Sequence, residues 1–322
     1  MPNQVKLTVS HAPFWHDGSR LSTKHYQIMG AASLAVIAGL IQYGLPALAV
    51  VTFSVATAMM WEMVMNLMTR RPVTIGDGNA ALIGFLFAML LPATTPWWVV
   101  LTGTFFAVII GKQIYGGLGG NPFNPVIVSY AILQIAWPVY LDFNAALVNY
   151  QFDFNAGYPL VLYKSYGPGA IESFSFMDML LGRQAGGIGA TFGLGLIIGG
   201  VYLILRGIIR WEIPAAFLVG IAGTSVAFNL YNPDLYAGPG FHVLTGFALI
   251  GAFFLATEDS SSPVNTIPML IYGVIGGIMT VLIRNVGPHI DGVIYAILVI
   301  NLINPLIDKI RPKAKKRVMN YA

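Results

Sequence analysis

The stretch Gly186-Gly187-Ile188-Gly189-Ala190-Thr191 joins a freely turning backbone to a single hydroxyl, where a long polar segment gives way to an apolar run. Because glycine allows close approach of a backbone to a ligand, this turn is a candidate working site, with Gly187, Gly189, Ala190 and Thr191 as its residues. Small-residue packing between membrane helices would use the same residue types. A second constellation, Gly116-Gly117-Leu118-Gly119-Gly120-Asn121-Pro122-Phe123-Asn124-Pro125, sets two asparagines among glycines and prolines. Each amide can donate and accept toward a ligand or an exposed backbone, or the two Asn-Pro pairs can simply cap and turn. Glu62, Asp77 and Glu258 fall within or at the edge of apolar runs, where a costly charge is usually retained for an ion path. The structural alternatives pair Glu62 with Arg70 and Asp77 with Arg71. His242 and His289 stand at expected helix starts and are candidate haem ligands. With no cysteine, the chain by itself holds no iron–sulfur cluster, thiolate-bound zinc or disulfide.

The elements that must position these residues follow from composition. At 56% hydrophobic and only 9% charged, 322 residues exceed the apolar content of a soluble domain. The expected fold is an all-α integral membrane protein, since runs such as 34–40 and 194–198 do not alternate as barrel strands would. Punctuation by Gly, Pro and charge divides the chain into about ten transmembrane helices, at 26–43, 46–68, 79–92, 97–115, 124–141, 187–206, 212–230, 241–257, 265–284 and 291–307. Residues 1–25 read as a polar cytoplasmic arm and not a cleavable signal. Residues 142–185 read as an extracytoplasmic loop, and 309–322 as a basic cytoplasmic tail that meets anionic lipid and not nucleic acid. With both termini in the cytoplasm, every Lys and Arg except Lys164, Arg183 and Arg284 falls inside, as the positive-inside rule requires.

An internal repeat adds a second level. Gly76 to Phe85 resembles Gly238 to Phe247, and Tyr130-Ala-Ile-Leu133 returns as Tyr295-Ala-Ile-Leu298. Two five-helix repeats, 26–141 and 186–308, must then be inverted relative to one another, with short broken helices lining a cavity between them.

The run Gly111-Lys-Gln-Ile-Tyr-Gly-Gly-Leu-Gly-Gly-Asn-Pro-Phe-Asn-Pro125 resembles the RnfD/NqrB family of membrane subunits in ion-translocating electron-transport complexes. Gly189-Ala-Thr191, Gly251-Ala-Phe-Phe-Leu-Ala-Thr257 and Asp291-Gly-Val-Ile-Tyr-Ala296, followed by Asn301-Leu-Ile-Asn304-Pro305-Leu-Ile-Asp308, come in family order. The resemblance covers nearly the whole chain, and the length is nearer to the RnfD branch.

The resemblance implies that Thr191 carries FMN through a phosphoester, installed by a separate flavin transferase. The positive end of the following helix would favour that phosphate. It also implies that Asn121 and Asn124 line a second, non-covalent flavin or riboflavin site near the cytoplasmic half. Partner subunits would carry iron–sulfur and flavin centres, electrons would pass between ferredoxin and NAD, and Na⁺ or H⁺ would cross a prokaryotic cytoplasmic membrane. Asp77 and Glu258 are the ion-path candidates, and the chain would be inactive alone. Where the family pattern has Ser or Thr before the Gly and an acid upstream, this chain has Ile188 and Ala185, with Asp178 further away; Thr257-Glu258-Asp259 stands in place of Thr-Asp-Pro. The rivals are a redox-free secondary transporter or channel of inverted-repeat fold, and a scaffold whose flavin sites have decayed.

Overall fold

A computed structural model describes residues 21–147, 150, 152 and 157–310, which leaves most of the expected arm and nearly all of the basic tail outside the described residues. Every regular element among the described residues is helical. In the first half these are α1 (Leu21–Tyr43), α2 (Leu45–Met68), α3 (Asn79–Leu90), α4 (Trp97–Phe105) and α5 (Pro125–Ala136). The loop carries three short helices, α6 (Phe143–Leu147), α7 (Pro159–Tyr166) and α8 (Phe176–Leu180). The second half holds α9 (Gly193–Leu205), α10 (Glu212–Tyr231), α11 (Pro239–Leu244), α12 (Ala248–Ile250), α13 (Thr266–Asn285) and α14 (Val293–Ile307).

Five helices are long and apolar enough to cross a membrane: α1, α2, Trp97–Tyr115, α10 and α13. Four apolar helices of 12 to 15 residues, α3, α5, α9 and α14, occupy four more of the expected segments. The tenth is interrupted. α11 stops at Thr245, Gly246 takes a φ of 63°, and α12 resumes and widens into π turns over Gly251–Leu255. The chain is a multi-pass helical membrane protein.

Several boundaries differ from expectation for local reasons. α1 begins at Leu21, so Lys24 and His25 belong to the helix and not to the arm. Pro92 closes the short α3, and α5 ends at Ala136 before Pro138. The helix expected over 187–206 begins only at Gly193, because residues 186–191 run as an irregular segment against the end of α3.

The two halves repeat a packing scheme. α2 contacts α3 and α4 as α10 contacts α11 and α13, and across the halves α1 packs on α9 and α5 on α14. The α10–α13 seam is close because it is glycine-lined. A Cβ on Gly220 would come within 2.6 Å of the Val274 carbonyl, and one on Gly273 within 2.8 Å of the Ile213 carbonyl. Along α1, His25 lies beside Asp77 and Tyr43 lies beside Gly186, so the two candidate regions are roughly 27 Å apart at 1.5 Å per residue.

Candidate functional site

Thr191 sits in a gap between two short helices. Ile188 N–H donates to the Leu91 carbonyl and Gly189 N–H to the Met89 carbonyl, both at 3.0 Å, so the segment satisfies main-chain groups left open where α3 ends. The glycines serve that docking. A Cβ on Gly187 would come within 2.5 Å of the Met89 carbonyl, and one on Gly189 within 2.5 Å of Met89 Cγ. Clearing space beside Thr191 falls instead to Gly186, where a Cβ would meet Thr191 Cγ2 at 2.8 Å. Ala190 is buried and donates its N–H to the Gly187 carbonyl, closing the turn.

The hydroxyl is the unusual feature. Buried threonines in this protein bond back to the main chain: Thr57, Thr104, Thr245 and Thr280 donate to the carbonyl four residues earlier, and Thr95 to that of Pro92. Thr191 is equally buried, at 3% exposure, yet its Oγ1 has no partner. It precedes α9 by two residues and has no helical turn behind it to accept its proton. A buried polar group left unpaired costs about 1–3 kcal/mol, so the hydroxyl stands available to a modifying group.

Gln184, which sequence reasoning does not single out, organises the surroundings. Its Nε2 donates to the carbonyls of Met179, Leu244 and Thr191 at 3.2, 3.1 and 3.3 Å. One amide thus ties α8, the helix break and the Thr191 segment together. A lone Gln beside a run of small residues is the signal that points to it. Asp178, the acid upstream, lies on α8 and is bound to Arg183 at 3.4 Å and to the Ser175 hydroxyl at 2.6 Å. The Ser175 hydroxyl and the neighbouring arginine hold its carboxyl below the usual range.

The break in α11–α12 that borders this site is held by a buried ion pair. Arg284 donates to Asp291 at 2.9 Å and to the carbonyls of His242 and Thr245 at 2.6 and 3.0 Å, while Asp291 accepts from Phe247 N–H at 2.7 Å. The pair therefore satisfies main-chain groups that the break would strand. The loop is tied to the same region through Lys164, which donates to the carbonyls of Gly287 and His289 at 2.6 and 2.5 Å. The candidate haem ligands do not converge. His242 packs edge-on against Tyr163 and Phe241, His289 stacks on Tyr295, and neither starts a helix. Among the described residues no three His or acidic side chains are placed to hold one metal ion.

At the opposite end, a cavity of 290 Å³ opens between α1, α3, α9 and the segment after α12. Lys24, His25, Asn79, Glu258 and Asp259 line its polar side and Leu86, Phe253 and Phe254 its apolar side. Glu258 is fixed by Ser261, whose N–H and hydroxyl donate to it at 2.9 and 2.6 Å, and by the Asn121 amide at 3.3 Å. Asn121 reaches the cavity only through Glu258. Asn124 is fully engaged elsewhere: its Oδ1 accepts from Val126 and Ile127 N–H to cap α5, and its Nδ2 donates to the Leu255 carbonyl. Its place in the structure is that of a cap, not a cavity wall.

Neither of the alternative ion pairs forms. Asp77 does not pair with Arg71: its carboxylate accepts from the N–H of Asn79, the first residue of α3, at 2.7 Å, and Arg71 donates to the Gly116 carbonyl. Glu62 pairs not with Arg70 but with Lys112, at 2.8 Å and with both side chains 2% exposed or less, while Thr74 donates to the same carboxylate oxygen. Its second oxygen has no partner.

A helical membrane protein with broken helices, an unpartnered hydroxyl at one end and an acid-lined cavity at the other is the class that these features define. The chain belongs to the NQR2, RnfD, RnfE family, whose profile matches residues 8–316. It is 35% identical over 312 residues to the D-type subunit of the Na⁺-translocating ferredoxin:NAD⁺ oxidoreductase complex of Acetobacterium woodii, covering 95% of this chain and 94% of that one. It is 33% identical to the D-type subunit of the proton-translocating ferredoxin:NAD⁺ oxidoreductase complex of Clostridium ljungdahlii, covering 96% of each. To the D-type subunit of the ion-translocating oxidoreductase complex of Escherichia coli O7:K1 it is 31% identical, covering 93% of this chain and 95% of that one.

Proposed function

We propose that this chain is the D-type membrane subunit of an ion-translocating ferredoxin:NAD⁺ oxidoreductase and carries a flavin at Thr191. The names of its relatives support the redox reading over a redox-free transporter, and they divide between sodium and protons as the ion moved. The observation that carries the flavin assignment is the buried, unpartnered Thr191 hydroxyl. Attachment breaks the Thr191 O–H bond and forms Oγ1–P. The flavin donor is a dinucleotide whose nucleoside monophosphate leaves with the proton, in a reaction run by a separate transferase. The first N–H groups of α9 lie just beyond, where the positive helix end favours a phosphate.

Bound flavin supplies one- and two-electron chemistry that no side chain here can supply. The protein's part is to exclude water and hold the tether, through Gln184 and the end of α3. A second, non-covalent flavin or riboflavin is assigned to the 290 Å³ cavity beside Glu258, with Asp77 and Glu258 the ion-path candidates. The charge distribution supports a cytoplasmic membrane location with the Glu258 end inside and the loop outside, and two oppositely oriented halves. Lacking cysteine, the chain depends on partner subunits for iron–sulfur centres. Chain co-expressed with a flavin transferase should give a fluorescent band on a denaturing gel, retained in Thr191→Ser and lost in Thr191→Ala. A dark wild-type band overturns the tether.

A further inference from the structure

The Thr191 hydroxyl is closed in. The crevice around it, bounded by Tyr158, Gln184, Gly186, Gly246 and Phe247, holds no free volume, and the residue is only 3% exposed. A transferase cannot bring a phosphate to Oγ1 through that wall, so part of the wall must move. Its two sides are built differently. The floor, residues 186–191, is fixed to the end of α3 by main-chain bonds from Ile188 to Leu91 and from Gly189 to Met89. The cover, residues 158–183, carries α7 and α8, and among the described residues its main-chain hydrogen bonds all run within the stretch.

Side chains tie this cover to the second half. The Tyr163 hydroxyl donates to Asn285 Oδ1 at 2.9 Å and accepts from Ala237 N–H at 3.3 Å. The Lys164 ammonium enters a cup of three carbonyls, those of Gly287 and His289 at 2.6 and 2.5 Å and that of Arg284 at 3.4 Å. Gln184 adds a tie from the floor, donating to the Met179 carbonyl. Tyr158, through which the cover reaches the crevice, has a buried hydroxyl with no partner to bolt it down. A stretch whose main-chain bonds are its own lifts at less cost than one bonded into the core, because only side-chain contacts break. We propose that residues 158–183 form a lid over Thr191, latched by Tyr163 and Lys164, that lifts to admit the flavin transferase. The lid rests on the flavin reading above and deepens it by setting an order: unlatching precedes attachment.

Full-length chain purified without flavin is incubated in detergent with flavin transferase and flavin adenine dinucleotide, and band fluorescence is followed in time. Tyr163→Phe/Lys164→Met should gain flavin several-fold faster than wild type, while Lys164→Arg, which keeps a cation in the carbonyl cup, should match wild type. Equal rates for wild type and the double variant overturn the lid, and so does the same acceleration in Lys164→Arg, which marks general loosening. Bands that stay dark in every chain overturn the tether. Hydrogen exchange of the flavin-free chains tests the lid apart from the tether. Amides of α7 and α8 should exchange several-fold faster in the double variant, with Ile188 and Gly189 unmoved. Exchange that quickens in both stretches, or in neither, overturns the lid whatever Thr191 carries.

Discussion

Gln184 donates its side-chain amide to the Thr191 main-chain carbonyl at 3.3 Å, while the Thr191 hydroxyl itself is buried without a partner. The contrast divides the residue into a fixed backbone and a free functional group. Gln184→Leu should strand the Thr191 and Leu244 carbonyls, at about 1–3 kcal/mol for each buried group left unpaired, whereas Met179 also accepts from Gly182 N–H. The expected outcome is a lower thermal midpoint in detergent and a weaker flavin band, because the segment that presents Thr191 loses its tie to α8 and Leu244.

Gly39 and Gly30 lie on the same helix and should behave oppositely. A Cβ on Gly39 would collide with the Ile188 carbonyl, whereas one on Gly30 meets nothing within 4 Å. Gly39→Ala should cost roughly 1–3 kcal/mol through overpacking and reduce flavin attachment by displacing residues 186–191. Gly30→Ala should leave both unchanged or raise stability by up to about 1 kcal/mol through helix propensity. Thermal denaturation paired with gel fluorescence checks both.

Helix content and the broken helices are legible in the residue string because they rest on local signals: apolar length, Pro92, Pro138, and an Asn124-Pro125 cap that works as such pairs do. What is not legible depends on contacts far apart in sequence. Residues 187–192 have the composition of a helix start, but the open carbonyls of Met89 and Leu91 draw them into an irregular segment. Proximity in sequence matches Glu62 with an arginine, whereas its partner Lys112 is 50 residues away. Nothing in the residue string reports that distance. Thr191 itself is legible through its motif, while its unpartnered hydroxyl and the reach of Gln184 emerge only in three dimensions.

The Glu62–Lys112 pair is fully buried, so removing one partner leaves a charge stranded. Glu62→Gln or Lys112→Met alone should cost about 3–5 kcal/mol, and the double substitution should recover much of that loss. A double-mutant cycle of thermal or denaturant unfolding in detergent checks the coupling; additive losses would contradict it.

Lys24 and Asp259 form the opposite case. They pair at 2.6 Å, but Asp259 is 62% exposed and Lys24 29%. Lys24→Ala should shift stability by no more than about 1 kcal/mol, and the shift should shrink further at high salt. Unfolding midpoints at two salt concentrations measure it.

The central claim is that Thr191 is the attachment point of a flavin phosphate. Mass spectrometry of the peptide containing Thr191, from chain matured with its flavin transferase, tests it most directly. The predicted result is a peptide heavier by one FMN less one water, with fragment ions placing the added mass on Thr191. An unmodified Thr191 peptide in fully recovered sequence, or the same added mass on another residue, would contradict it.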